Sequence, residues 1–274
     1  MNRFRTAAAG LLTLPTLLAL TAAGPPAATP TATPPAPPPP PASSAPPAPP
    51  RAARPASPPA SLLGTEIRRI PTEERVLVLT FNAAWDETGL DTVLDVLRDR
   101  AAPAAFFPTG DFADRHPGAI RAIAAAGHGL GNHSYSHPDF SALTAERART
   151  EVRRADTAIR RAAPGTDPLP FFRFPYSETT PQAIATVNEL GYADLEFTAD
   201  TNGYLGPGHG MTADRAVERA LAALTPGAVL QLHVGATDEG GPDTCLDAEA
   251  LPRIIDGARA RGYRVIDPRT LLDP

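Results

Sequence analysis

From Arg75 onward, short continuous apolar runs alternate with longer runs in which apolar positions recur every three or four residues. The first run, Val76-Leu77-Val78-Leu79-Thr80-Phe81, is rich in β-branched and aromatic residues and predicts a strand over 76–81. Val93, Leu94 and Leu97 then fall at helical spacing in an amphipathic stretch ending near Arg100. Further strands are predicted over 104–107, 128–132, 171–174, 193–198, 229–233 and 263–266. Helices are predicted over 117–126, opened by Pro117 and ended by Gly127, and over 144–163, closed by Pro164-Gly165. Three more cover 182–190, 213–224 and 248–261.

Strand-then-helix units with unbroken apolar strands call for a parallel sheet covered by helices, hence an α/β fold. A distorted (β/α)7-type barrel fits the rhythm best, with an open doubly wound sheet as the alternative. In either architecture the chemistry belongs at the carboxyl ends of the strands. Asn82, Trp85 and Asp86 follow the first strand, and His133 and His137 the third. Arg173 and Tyr176 close the fourth, residues 200–204 follow the fifth, and His233 ends the sixth. Groups far apart in sequence thus gather on one rim.

The chain ahead of this region is different. Arg3 and Arg5, an apolar run over 7–20, and small residues at Thr21 and Ala23 read as a secretory signal over 1–23. The run is shorter than the ~20 apolar residues of a bilayer span, so cleavage is expected and no stable membrane span afterwards. Over 24–60 the chain holds 17 prolines in 37 residues. Such composition buries no core, and a disordered linker is assigned to 24–64, ahead of a single domain over 65–274. From position 65 there are 30 acids against 21 arginines, a formal charge near −9. That excludes nucleic acid as a partner. A single cysteine, Cys245, excludes an intrachain disulfide. The expected product is a monomer, secreted or held at the cell wall.

The densest chemistry lies in Gly131-Asn132-His133-Ser134-Tyr135-Ser136-His137-Pro138. Two histidines four apart can share one ion if a helical turn joins them. Pro138 pushes His137 away from helical angles, so His137 is expected to close a turn instead.

In these residues the chain resembles the polysaccharide deacetylases with a NodB homology domain, carbohydrate esterase family 4, over roughly 76–266. The stretch from Gly127 to Pro138 is similar to the family's second motif, which implies that His133 and His137 bind a divalent metal, with zinc the expected ion. Arg173-Phe174-Pro175-Tyr176-Ser177 resembles the third motif, implying that Arg173 orients the catalytic carboxylate and that the amide of Tyr176 helps hold the oxyanion. Leu230-Gln231-Leu232-His233 resembles the fifth, whose histidine protonates the leaving amine. The implied chemistry is metal-assisted amide hydrolysis with a carboxylate base.

Two motifs depart from the pattern. The first motif of the family carries Asp-Asp-Gly after Thr-Phe, the base and then a metal ligand; here Thr80-Phe81 is followed by Asn82-Ala83-Ala84-Trp85-Asp86. Asn82 can accept a hydrogen bond and position water, but it takes no proton at neutral pH. Loss of a general base typically costs about 10²- to 10⁴-fold. Asp86 is the nearest candidate for the missing ligand or base, and equally a cap for the helical run beginning near Glu87. The fourth motif, an Asp-Trp pair in many members, falls on Gly203-Tyr204.

Trp85, Tyr176 and Tyr204 are candidate sugar-stacking faces. His116, His128 and His209 read as turn or surface groups, and Asp200 as a cap of its own turn. The resulting expectation is an exported, metal-dependent deacetylase acting on an N-acetylglucosamine-type polysaccharide, peptidoglycan or chitin-like. It is expected to be weak because the usual base is Asn82. The alternative is a catalytically silent glycan-binding domain on the same fold.

Overall fold

The computed structural model describes residues 58–166, 168–242 and 244–272; the signal segment over 1–23 and the linker over 24–57 lie outside them. In chain order the regular elements are β1 (Glu66–Ile67), β2 (Val76–Ala83), α1 (Leu90–Asp99), β3 (Ala105–Pro108), α2 (Gly110–Arg115), α3 (Pro117–Ala125), β4 (Gly129–Leu130) and α4 (Ala145–Ala162). They continue as β5 (Phe171–Phe172), α5 (Pro181–Glu189), β6 (Ala193–Leu195), β7 (Ala199–Asp200), α6 (Ala213–Ala222), β8 (Ala228–His233), α7 (Leu246–Ala260) and β9 (Arg264–Val265). Thr109, Thr144, Thr180 and Thr212 precede α2, α4, α5 and α6, and each accepts at Oγ1 the N–H three residues on. No helix of the described residues is long and apolar enough to cross a membrane.

Among the described residues every pairing between these strands is parallel. One sheet runs β4-β3-β2-β8-β7, with β9 also on β2; the other runs β1-β6-β5. A parallel bridge, Asn132↔Phe172, and an antiparallel one, Arg69↔Ala228, link the two into a barrel-like ring. The α/β class is as expected, and the small second sheet explains why the barrel is distorted.

Beneath the continuous apolar look of the central strands lies a strict alternation. Leu77, Leu79, Phe81 and Ala83 of β2, with Leu230 and Leu232 of β8, pack against the surrounding helices. The opposite series is Val78, Thr80, Asn82 on β2 and Val229, Gln231, His233 on β8, paired 78↔229, 80↔231 and 82↔233. Val78 and Val229 belong to the apolar cluster inside the ring with Ala105, Phe107 and Phe171. The interior therefore turns from apolar to polar towards the carboxyl ends, and it is buried throughout.

Three expectations change. The strand predicted over 193–198 stops at Leu195, and after Glu196-Phe197-Thr198 the chain enters the other sheet as β7. The strand predicted over 171–174 stops at Phe172, because the chain turns at Tyr176 and Ser177, with φ of 58° and 55°. The linker over 24–64 runs too far. Residues Ala60–Leu62 form a 3-10 turn, and Leu62 is buried beside Ile67, Ile70 and Leu195.

Candidate active site

The two histidines come together without a helix. Ser134 and His137 take left-handed backbone angles, φ 65° and 57°, a conformation that non-glycine residues hold only when surroundings enforce it. Here they do. Asn132 anchors the loop, accepting the Ser134 N–H at 3.0 Å and donating to the Val152 carbonyl at 3.0 Å. The Glu151 carboxylate on α4 takes the N–H of Tyr135 and of Ser136. The His137 N–H closes the turn on Ser134 Oγ at 3.1 Å. The imidazoles then face each other with their Nε2 atoms 3.2 Å apart.

Both rings are held neutral. Burial pushes His133 well below the usual histidine range, reinforced by the neighbouring His137. Burial also lowers His137, against the opposing pull of Asp238. His133 Nδ1 lies 2.9 Å from the Arg173 carbonyl, which accepts its proton and leaves Nε2 as a lone pair.

Arg173 is fully buried, its guanidinium 4.2 Å over the Phe107 ring. It donates to the carbonyls of Leu195 and Glu196 and to Asn82 Oδ1 at 3.1 Å. Burial lowers it to about 10, so it remains a cation at neutral pH. Arginine only donates, so the Asn82 oxygen must face it and the amide nitrogen must face away. Asn82 Nδ2 donates to Gln231 Oε1 at 3.2 Å, and Gln231 Nε2 to Asp200 Oδ2 at 2.7 Å. Asp200 also accepts the Asn202 N–H at 2.7 Å, the turn cap read from sequence.

His233 stands beside Asn82 in the β2–β8 register, its ring centroid 4.5 Å from that of Tyr204. Its N–H donates to Asp247 Oδ2 at 2.8 Å, and the same oxygen lies 3.5 Å from its Nδ1. Asn82, His133, His137, Tyr176, Tyr204 and His233 all line one cavity of about 200 Å³, with Asp200, Gln231 and Asp238. Tyr176 is 63% exposed and meets His137 edge-on at 4.7 Å. Glu196 steadies the loop behind it, accepting from the Phe174 N–H and the Ser177 hydroxyl.

Two predicted residues stand elsewhere. Asp86 accepts the Thr88 N–H at Oδ1 and the Ala236 N–H at Oδ2, so its carboxylate caps its own turn and clamps the β8–α7 loop. It does not line the cavity, and the metal-ligand expectation gives way to this clamp. Trp85 lies beneath the Arg115 guanidinium at 4.1 Å, also off the cavity wall. His116, His128 and His209 are likewise outside the lining. Sequence reasoning missed Gln231, Asp238, Glu196 and Asp247. Only Gln231 carried a signal, being two residues before His233 on the same strand face.

Two imidazoles on a tetrahedral zinc at ~2.0–2.1 Å have nitrogens about 3.3 Å apart, so the His133–His137 separation fits a shared ion. The fit is incomplete. Among the described residues no three His, Cys, Asp or Glu side chains stand close enough to hold a metal together.

A family model described as polysaccharide deacetylase matches residues 69–195. A chitooligosaccharide deacetylase from Bradyrhizobium sp. (strain ANU 289) is 34% identical over 198 residues, 70% of this chain and 88% of its own. A solved peptidoglycan N-acetylglucosamine deacetylase superposes with a TM-score of 0.68 at 26% identity, over 76% of this chain and 92% of that one. A CE4 family pseudoenzyme from Bacillus anthracis gives the same TM-score at 23% identity, over 77% and 69%, a likeness of fold alone.

Proposed function

Because this chain belongs to the polysaccharide deacetylase family, we propose that it is an exported hydrolase that removes N-acetyl groups, slowly, from an N-acetylglucosamine-type glycan. The observation that carries this reading is the shared cavity: two neutral imidazoles 3.2 Å apart on one side and His233 on the other. The similar chitooligosaccharide and peptidoglycan deacetylases point to the substrate class. Export is supported by the basic and then apolar start of the sequence.

A divalent ion held by His133 and His137, zinc in this proposal, would polarise the acetamide carbonyl and ready water for attack. The chain's own groups do the rest. Arg173 fixes Asn82, which orients the water but accepts no proton. The Tyr176 turn, strained at φ 58°, presents its amide to the developing oxyanion. Tyr176 and Tyr204 offer sugar-stacking faces at the rim. His233 delivers a proton to the departing amine. With amide at position 82, the cavity-lining carboxylates available to the water's proton are Asp200 and Asp238. Asp200 is already engaged by Gln231 and Asn202.

A second reading, a silent glycan-binding domain, is favoured by the same Asn82 and by the missing third ligand. Acetate release from N-acetylglucosamine oligomers and from peptidoglycan, with Zn²⁺ or Co²⁺ and after chelation, separates the two. Slow release lost on chelation is expected. Glycan binding with no acetate under any metal overturns the enzyme.

A further inference from the structure

Position 203 carries glycine in the stretch that falls on the family's fourth motif, and the space beside it is not empty. Gly203 has no left-handed φ, so its backbone would admit any side chain. What stands closest is one group: the three heavy atoms nearest a Cβ built there are all of the Asp247 carboxyl. Asp247 lies in the first turn of α7, 1% exposed. Its Oδ1 accepts the Thr201 hydroxyl at 2.6 Å, from the loop that bears Gly203. Its Oδ2 accepts the His233 N–H at 2.8 Å and stands 3.5 Å from His233 Nδ1, a buried nitrogen without a hydrogen-bond partner among the described residues. From the other side, the Cys245 thiol, just ahead of α7, meets the His233 carbonyl at 3.3 Å. The start of α7 is thus fastened to the backbone of the very residue whose ring its carboxylate faces.

We propose that Asp247 is the positioning carboxylate of His233, and that it and a side chain at position 203 are mutually exclusive occupants of one space. The idea rests on the deacetylase reading for its catalytic meaning, though its geometry does not. The carboxylate accepts a hydrogen bond from Nδ1–H, which orients the ring and turns the Nε2 lone pair towards the cavity. There Nε2 takes up the proton that it passes to the departing amine. Asp247 touches no substrate itself.

Nitrogen NMR of the full chain tests the geometry without activity. In the wild type, His233 is expected as the Nδ1–H tautomer. In Asp247→Ala, which removes the oxygen that faces Nδ1, that tautomer loses its excess. If the wild type releases acetate, Asp247→Asn should lower kcat about 10²-fold, the lower end of what a placed acid contributes, with KM unchanged. Gly203→Asp alone should impair the enzyme by collision. Combined with Asp247→Ala, it should recover part of the activity that Asp247→Ala loses. An unchanged tautomer in Asp247→Ala overturns the proposal, as does Gly203→Asp tolerated at full activity. Absence of acetate from the wild type counts against the deacetylase reading only, because the tautomer remains readable.

Discussion

Asn82 gives its side-chain N–H to the Gln231 oxygen across 3.2 Å, and it does so because Arg173 has already claimed its own oxygen at 3.1 Å. The string Arg173, Asn82, Gln231, Asp200 therefore has one polarity, from a group that only donates to a group that only accepts. Putting a base at position 82 breaks it. An aspartate there would set oxygen against the Gln231 oxygen, and turning Gln231 over would set its oxygen against Asp200. Asn82→Asp should raise acetate release, but by less than the ~10²- to 10⁴-fold a general base contributes. Asn82→Asp with Asp200→Asn, which lets Gln231 turn, should exceed it by at least about tenfold. Equal rates for the single and double variants would show that the string does not govern the base.

Metal content probes the histidines separately from catalysis. About one ion per chain is expected after saturation with Zn²⁺, and none in His133→Ala or His137→Ala. Asp86→Ala should keep the metal, because its carboxylate holds the Thr88 and Ala236 amides. It should instead cost about 1–2 kcal/mol of stability by loosening the first loop and the β8–α7 loop. Loss of metal in Asp86→Ala, read by elemental analysis of the purified protein, would restore it to the ligand set.

The elements of the fold were legible because period and punctuation agree: Pro117, Gly127 and Pro164-Gly165 bound helices where expected. His133, His137, Arg173, Tyr176, Tyr204 and His233 were legible as a set because each ends or follows a strand. What stayed hidden has a physical reason. Continuous apolar strands masked the inner series Val78-Thr80-Asn82 and Val229-Gln231-His233, visible only once helices and interior are assigned to opposite faces. Asp247 meets Thr201 and Gly203 across more than forty residues, and no local pattern encodes that meeting. Asp86 had two equal chemical uses, and backbone amides from a distant loop decided between them.

Acid should destabilise the metal-free protein through His133. Its native form stays neutral because burial depresses it, whereas the unfolded imidazole protonates near pH 6.5. Below that pH the unfolded state binds the extra proton, so stability falls as pH falls, by at most about 1.4 kcal/mol per pH unit for this one group. Urea unfolding at pH 7.5 and 5.5 reads the slope, and His133→Gln should flatten it. An unchanged slope in the variant would mean that His133 is protonated in the native state.

Asp194 should behave with the opposite sign. It is fully buried, opposite Glu66 in the β1–β6 register, and neither carboxyl oxygen accepts a hydrogen bond among the described residues. Burial, with Glu196 and Glu66 nearby, holds its carboxyl well above the usual carboxylate range. The native state thus keeps a proton that the unfolded chain releases near pH 3.9. Its contribution to stability is complete below that pH and is lost as pH rises towards the native value. Asp194→Asn removes the titration, and its amide keeps donors at every pH, whereas the carboxyl loses its one donor on ionising. Most buried substitutions destabilise by 0.5–3 kcal/mol. This one should leave stability at pH 8 equal or higher, and the gain over wild type should shrink as pH falls to 5. A urea midpoint at pH 8 clearly below that of wild type would mean that Asp194 is ionised and held by a partner.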